Sequence, residues 1–307
     1  MSKTYRYSEI FYSFQGEAEM AGKPSVWLRF FGCNLECHGF GQTDPTDPST
    51  YVLPYQTFDV SSVKRLEDLP VWTTGCDSSY SWAAKYKSLV HDNTVEEICD
   101  LITDQMRHPS NPEGLFVHPV TAQDTQLCFT GGEPMMNQKA MIAIIEEFKR
   151  RGNAPVTITV ETNATKKLSP DLVKYINEDW LSEDGQGGRW HWAMSPKLWT
   201  VAGEKDAVHT DIIFSYATEV MSTSILKFVC NGTDACWTEL DDHVDRIQRM
   251  FGQEGFVPPE IWIMPVGATK DQQEDAQVAS IAMEAMKRGY SVATRNHCYV
   301  FGNVIGK

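Results

Sequence analysis

No run of about 18 apolar residues occurs in this 307-residue chain, so no membrane-spanning helix is expected. No Lys/Arg block stands out, and the formal net charge is −14. Direct nucleic-acid binding is therefore not expected, and a small-molecule substrate or a protein partner fits better. No charged-then-apolar leader is seen: "MSKTYRYSEIFYSFQGE" is polar and aromatic, so the expectation is a cytoplasmic protein without a signal peptide. Internal repeats, low-complexity tracts and an obvious linker are also lacking, which leaves one domain over residues 1–307. In such a chain disulfides are rare. The eight cysteines, where they cluster, point to metal or redox chemistry.

What is present is an alternation. "SVWLRFF" (25–31), "TQLCFT" (125–130), "VTITVET" (156–162), "WHWAMSP", "SILKFVC", "IWIMPV" and "YSVAT" (290–294) read as strands. Between them lie helical patterns. Thr94 and Glu97 form a capping box for a helix to about Met106. In "QKAMIAIIEEFKRRG", Met141, Ile144, Ile145 and Phe148 share one face, and Gly152 suits the C-terminal cap. Pro170 opens a helix over 169–180, and further helices are expected over 233–251 and 270–288. Six or seven strands alternating with helices argue for an α/β fold with a parallel sheet, an open or partial β/α barrel carrying loop insertions. Residues 38–75, rich in Pro, Thr, Ser and Asp, read as an inserted loop.

In parallel β/α folds the working groups gather where strands end. The first strand leads to Cys33 and Cys37. A third cysteine three positions later would make an iron–sulfur set, but Phe40 stands there. If the insert leaves and returns, Cys76 arrives where that ligand belongs, and three thiolates could bind a [4Fe–4S] cluster with one iron left open. Two small core thiols, or a separate zinc site, are the other readings of this spacing. "FTGGEP" offers Gly131 and Gly132, whose backbone suits close approach, and the anionic Glu133; together they could hold an amino-acid moiety, or form only a tight turn. Other strand ends carry Glu161 and Asn163, then Ser195, Pro196 and Lys197, then Met264, Pro265, Val266 and Gly267, while Lys227 lies within a strand. Arg29, between Leu28 and Phe30 on a buried strand, needs a partner. The remaining five cysteines read as small core residues, with a second cluster at Cys230, Cys236 and Cys298 as the minor alternative.

Cysteines after the first strand and GGEP after the second resemble the radical S-adenosylmethionine superfamily. Within it, "EIFYSFQGEAEMAGKPSVWLRFFGCNLEC", "CDSSYSW", "FTGGEP", "VETN", "SPK", "LKFV" and the tail "HCYVFGNVIGK" resemble the 7-carboxy-7-deazaguanine synthase family of the queuosine (7-deazapurine) precursor pathway. The likeness fails at 38–75, at about 107–124 and at 182–190, which read as insertions. It implies a radical SAM-type partial barrel and a lyase that contracts 6-carboxy-5,6,7,8-tetrahydropterin to 7-carboxy-7-deazaguanine with loss of ammonia. It also implies a [4Fe–4S] cluster on Cys33, Cys37 and Cys76, with S-adenosyl-L-methionine held by Gly131, Gly132, Glu133, Glu161, Asn163, Ser195, Pro196, Lys197 and the 264–267 turn. The pterin would meet Phe14, Gln15, Gly16, Glu17, Arg29, Thr130 and His297. Mg²⁺ would bind through Ser78, where the family has Thr. An external electron donor and a homodimer are implied too. The alternatives are a radical SAM activase of a glycyl-radical partner and a non-catalytic binding protein on the same fold.

Overall fold

The computed structural model describes residues 3–180 and 188–306. Its frame is one sheet of nine strands: β1 (Thr4–Phe14), β2 (Pro24–Phe30), β3 (His91–Thr94), β4 (Gln126–Gly131), β5 (Thr157–Thr162), β6 (Arg189–Met194), β7 (Thr223–Cys230), β8 (Glu260–Pro265) and β9 (Ser291–Val292). The spatial order is β3-β1-β2-β4-β5-β6-β7-β8-β9. From β2 onward every neighbouring pair is parallel, which matches the expected series. Strands β3 and β9 are the two edges, so the barrel is open.

Two strands were not expected. β1 pairs antiparallel with β2 and with β3. Its sequence, "TYRYSEIFYSF", is rich in the aromatic residues that favour strands. Polar residues interrupt it, so no clean alternation announces it.

In chain order the helices are α1 (Pro54–Thr57), α2 (Val95–Met106), α3 (Gln138–Arg150), α4 (Pro170–Lys174), α5 (Trp199–Ala202), α6 (Thr210–Thr218), α7 (Asp234–Gln253), α8 (Lys270–Gln273), α9 (Ala276–Lys287) and α10 (Asn296–Phe301). The capping box of α2 is formed: Thr94 Oγ1 accepts the Glu97 N–H at 3.3 Å, and the Glu97 carboxylate accepts the Thr94 N–H at 2.9 Å. Helix α3 buries Met141, Ile144, Ile145 and Phe148, as its periodicity predicts. Past α4 the chain widens into a π-type turn over Tyr175–Trp180. The helix expected over 270–288 is broken, because Asp275 accepts the Gln277 N–H at 2.8 Å and starts α9 afresh. Of the expected 182–190 insertion, 182–187 lie outside the described residues. The 107–124 stretch is ordered by Asn111, which bonds both backbone groups of Leu115, and by Phe116 edge-on to Phe148 at 4.9 Å.

The insert has a core of its own. Tyr55, Leu66, Leu69 and Trp72 pack with Tyr80 and Tyr86 and with Ile305 from the tail. Each Leu so buried contributes about 1.5–3 kcal/mol. Its two legs are clamped at the neck, where the Gly75 N–H donates to the Phe40 carbonyl at 2.7 Å. Among the described residues no helix is long and apolar enough to cross a membrane.

Candidate active site

The C-terminal ends of the parallel strands surround a cavity of about 220 Å³. Cys33, Cys37 and Cys76 all line it. The neck clamp brings this about: Cys76 follows Gly75, which is bonded to the residue standing at the third-ligand position. The loop between Cys33 and Cys37 is pinned from outside. The N–H groups of Glu36 and Cys37 donate to Glu204 at 2.8 and 2.5 Å, and Asn34 donates to Thr165 at 2.8 Å. Cys37 is held at φ 50°, a strained value for a residue with a side chain.

All three thiols are free. Burial pushes Cys33 up to about 11 and Cys76 up to about 12, and it also pushes Cys37 upward. The Lys197 ammonium opposes this at Cys33 and Cys37. The thiols are therefore neutral at neutral pH, and binding a metal must expel their protons. Among the described residues no three His, Cys, Asp or Glu side chains converge on one point for a single ion. Three thiols that line one cavity without converging on a point suit a polynuclear cluster, in which each thiolate takes its own iron. Trp82 donates Nε1–H to Cys76 Sγ at 3.4 Å and fixes its orientation.

GGEP has a structural task as well. A side chain on Gly132 would meet the Gly32 carbonyl at 2.3 Å and Cys33 Cβ at 2.7 Å. The Gly132 and Glu133 N–H groups already donate to Phe30 and Gly32. The two glycines line the cavity, and they also let β4 come close to the cysteine loop. Glu133 does not line the cavity. It is fully buried and accepts from Met135 N–H (3.0 Å), Thr162 Oγ1 (2.7 Å) and Asn163 N–H (2.8 Å). Burial pushes its carboxyl up. It ties the ends of β4 and β5 together with three of the roughly four bonds a carboxylate can accept.

Glu161, Asn163, Ser195, Lys197, Met264, Pro265, Val266, Gly267, Thr130, Glu17, Arg29 and Ser78 line the cavity, while Phe14, Gln15, Gly16, Pro196 and His297 are not part of its lining. Gln15 supports it: its Nε2 donates to Glu161 at 2.9 Å, and its Oε1 accepts the Glu17 N–H at 3.1 Å. Phe14 packs on Phe301. Gly16 is required by His297, whose Nδ1 would lie 2.0 Å from any Cβ there. Arg29 has the partner it needs, for its Nε donates to Glu9 at 2.6 Å, and Tyr80 O–H donates to the same oxygen at 3.0 Å.

Two cations complete the site. Lys227 donates to Glu161 at 2.9 Å and to Glu17. Arg295, absent from the sequence reading, spans three walls: Nε to Glu17 at 3.2 Å, one terminal nitrogen to the Gly267 carbonyl at 2.8 Å, the other to Asp77 at 3.0 Å. Burial pushes Glu17 up, but Lys227 and then Arg295 outweigh it and hold the carboxyl well below the usual range. At Asp77 burial is likewise outweighed by Arg295. The signal for Arg295 was weak, since "ATRNHC" shows one arginine in a tail with no strand or helix period.

Comparisons with known proteins show what the chain is similar to. Residues 66–181 match the family description "4Fe-4S single cluster domain". The 7-carboxy-7-deazaguanine synthase of Rhodopirellula baltica is 24% identical over 302 residues, covering 96% of this chain and 86% of the relative. That of Halobacterium salinarum is 23% identical, covering 94% and 88%. The crystal structure of QueE from Escherichia coli superposes with a TM-score of 0.50 at 15% identity, over 96% of this chain and 95% of that one. In sequence the chain is similar to these 7-carboxy-7-deazaguanine synthases over almost its whole length, and its fold is similar to that of QueE.

Proposed function

We propose that this chain contracts the ring of 6-carboxy-5,6,7,8-tetrahydropterin to 7-carboxy-7-deazaguanine, releasing ammonia. The observation that supports this most directly is the Phe40–Gly75 clamp, which returns Cys76 to the cysteine loop and completes a three-thiol wall. The [4Fe–4S] cluster and S-adenosylmethionine, when bound, supply the electron and the carbon radical that begin the reaction. Cys33, Cys37 and Cys76 hold the cluster. Asn163, Ser195, Lys197, Glu161 and the 264–267 turn hold the sulfonium cofactor, with Gly131 and Gly132 at the cluster edge and Pro196 and Glu133 supporting from behind.

The pterin end is built from charge. Glu17 stays ionised and accepts from the guanidine-like edge of the substrate. Gln15, Gly16 and Phe14 hold the Glu17 backbone, and Thr130 adds a hydroxyl. Arg29 gives its Nε to Glu9 and keeps its two terminal nitrogens for the substrate carboxylate. His297 packs on Gly16 and keeps water from that side. Cytoplasmic location, an external electron donor, homodimerisation and a single domain that includes the insert 38–75 belong to the same reading. Magnesium at Ser78 fits poorly. The Ser78 hydroxyl donates to one Asp77 oxygen at 3.0 Å, and Arg295 takes the other.

The test is anaerobic reconstitution with iron and sulfide, followed by S-adenosylmethionine, dithionite and the pterin, with product read by mass. Product that disappears in Cys76→Ala is the expected result. A cluster that makes 5′-deoxyadenosine but no deazaguanine would leave the activase reading. Absence of any cluster would leave the binding-protein reading.

A further inference from the structure

We infer that Arg295 is the resident cation of the substrate end of this cavity and stands where a magnesium ion would otherwise sit, so that turnover does not depend on a divalent metal. The inference rests on the proposed reaction only for its activity readout.

Three observations lead to it. The first is geometric. The residue after Cys76 is Asp77, and the residue after that is Ser78, the expected metal ligand. Both Asp77 oxygens are engaged, one by Ser78 Oγ at 3.0 Å and the other by Arg295 at 3.0 Å. A hard divalent ion needs free, near-octahedral oxygens at about 2.0–2.1 Å. Here the guanidinium holds the Asp77 carboxylate beside Ser78 instead, and the same group reaches Glu17 and the Gly267 carbonyl.

The second observation is the charge of the lining. Arg29, Lys197, Lys227 and Arg295 line the cavity with Glu17, Asp77 and Glu161, and Arg29 is also paired with Glu9, so the fixed charges balance four against four. With cations already supplied by side chains, the lining itself calls for no added dication.

The third is rigidity. Arg295 is held by the β8 turn, by the segment containing Glu17 and by the residue next to the third cysteine. A planar fork bonded on three sides is a fixed charge that needs no reorganisation when substrate arrives. A hydrated ion, by contrast, is recruited at each binding event.

The test uses the reconstituted full chain, freed of divalent ions on a chelating resin. Mn²⁺, which reports by its own paramagnetic resonance signal, is titrated with 6-carboxypterin present. Turnover is measured with EDTA and with millimolar Mg²⁺. For the wild-type chain we expect no stoichiometric loss of the free Mn²⁺ signal, and turnover unchanged between the two conditions. Tight Mn²⁺ binding that Mg²⁺ displaces, or turnover that EDTA abolishes and Mg²⁺ restores, overturns the proposal.

Arg295→Ala should lose about 10²-fold in turnover, as removing one preorganised charge does. It should also gain a Mn²⁺ site and become Mg²⁺-stimulated, which a merely structural role would not produce. An Arg295→Ala protein with normal circular dichroism and iron content that takes up no Mn²⁺ refutes the exchange. Arg295→Lys, which keeps a cation, should remain metal-independent. If the alanine variant does not fold, the wild-type titration still decides. Mn²⁺ binding is read whatever product the protein makes, so failure of the ring-contraction reading leaves that arm intact.

Discussion

The barrel and the insert reach the same cavity by different physics. The barrel places Thr130, Glu161, Ser195 and Lys227 by register: parallel strands step side by side, and their ends or inward faces present side chains at one rim. The insert has hardly any regular structure beyond α1 and short turns, yet it brings Phe40, Gly41, Trp72, Thr73 and Gly75 to the same lining. It does so with a small aromatic core and one backbone hydrogen bond at its neck. A scaffold with many ladder bonds tolerates the loss of one. The neck has only a few bonds besides this one, among them the Thr74 hydroxyl to Val52 and the Gln272 amide to Thr73, so the insert should be the more fragile carrier of the third ligand.

The largest effect should come from testing that carrier directly. Cys76→Ala removes one of three thiolates and should abolish both stable cluster retention and turnover, read as iron per chain and product formed. Adding Phe40→Cys to that variant sharpens the comparison. Phe40 holds the regular third-ligand spacing and is bonded to Gly75 across the neck. Recovered iron would show that the clamp superimposes the two positions. If the double variant stayed empty, the insert would be setting a ligand geometry of its own.

On the barrel side the next largest effect belongs to Gly132→Ala. The new methyl would lie 2.3 Å from a backbone carbonyl and 2.7 Å from Cys33 Cβ, and neither can swing away. Overpacking of this kind costs about 1–3 kcal/mol. A lowered melting temperature is expected, with a weakened hold on iron because Cys33 itself is pushed. Unchanged iron content with a lowered Tm would mean that the cysteine loop floats free of β4.

Sequence legibility divides along the same line. The parallel strands were readable because each is a short apolar run followed by a polar terminus, and the helices because their caps and faces repeat. Most of the rim followed from that alone. Glu133 shows the limit of a motif: it says that an acid sits at a strand end, but not whether its oxygens face the ligand or the neighbouring strand. Thr162 and the Asn163 N–H, some thirty residues away, decide it. Arg295 was invisible because its partners Glu17, Asp77 and Gly267 are scattered over the chain. The insert's core was equally hidden, since Tyr55, Leu66, Trp72 and Ile305 have no period to betray them. Strand β1 escaped because its neighbours, not its own alternation, make it a strand.

A smaller effect should follow from Trp82→Phe, which keeps an aromatic ring but removes the N–H that Cys76 accepts. Outer bonds of this kind typically change metal affinity by about 10–100-fold. The expected result is a cluster that still forms but is lost faster to a chelator. On the barrel side the matching anchor is Glu204. Glu204→Gln should loosen the Cys37 loop by a comparable amount, because it removes a charge from two N–H bonds. Equal chelator sensitivity in the two variants would mean that insert and barrel hold their cysteines equally well.

The smallest predicted effect concerns the tail, which joins the two regions. The Asn296 N–H donates to the Gly16 carbonyl at 2.9 Å on the barrel side, while Ile305 enters the insert's core. Between them His297 is half-buried, and that burial, reinforced by Arg295, pulls its imidazole down from 6.5 to about 4. A folded value below the unfolded one means that the neutral form is the one the fold accepts. Its contribution is fully present above pH 6.5 and is lost as pH falls through about 4, amounting to about 3 kcal/mol over that window at most. Urea midpoints should therefore be level above neutrality and decline below it. His297→Gln should flatten the upper part of that decline and leave the part below pH 4, where Asp77 and Glu17 take up protons. If the decline is unchanged in His297→Gln, the tail is not the pH-sensitive tie between barrel and insert, and the carboxylates alone set the acid limit.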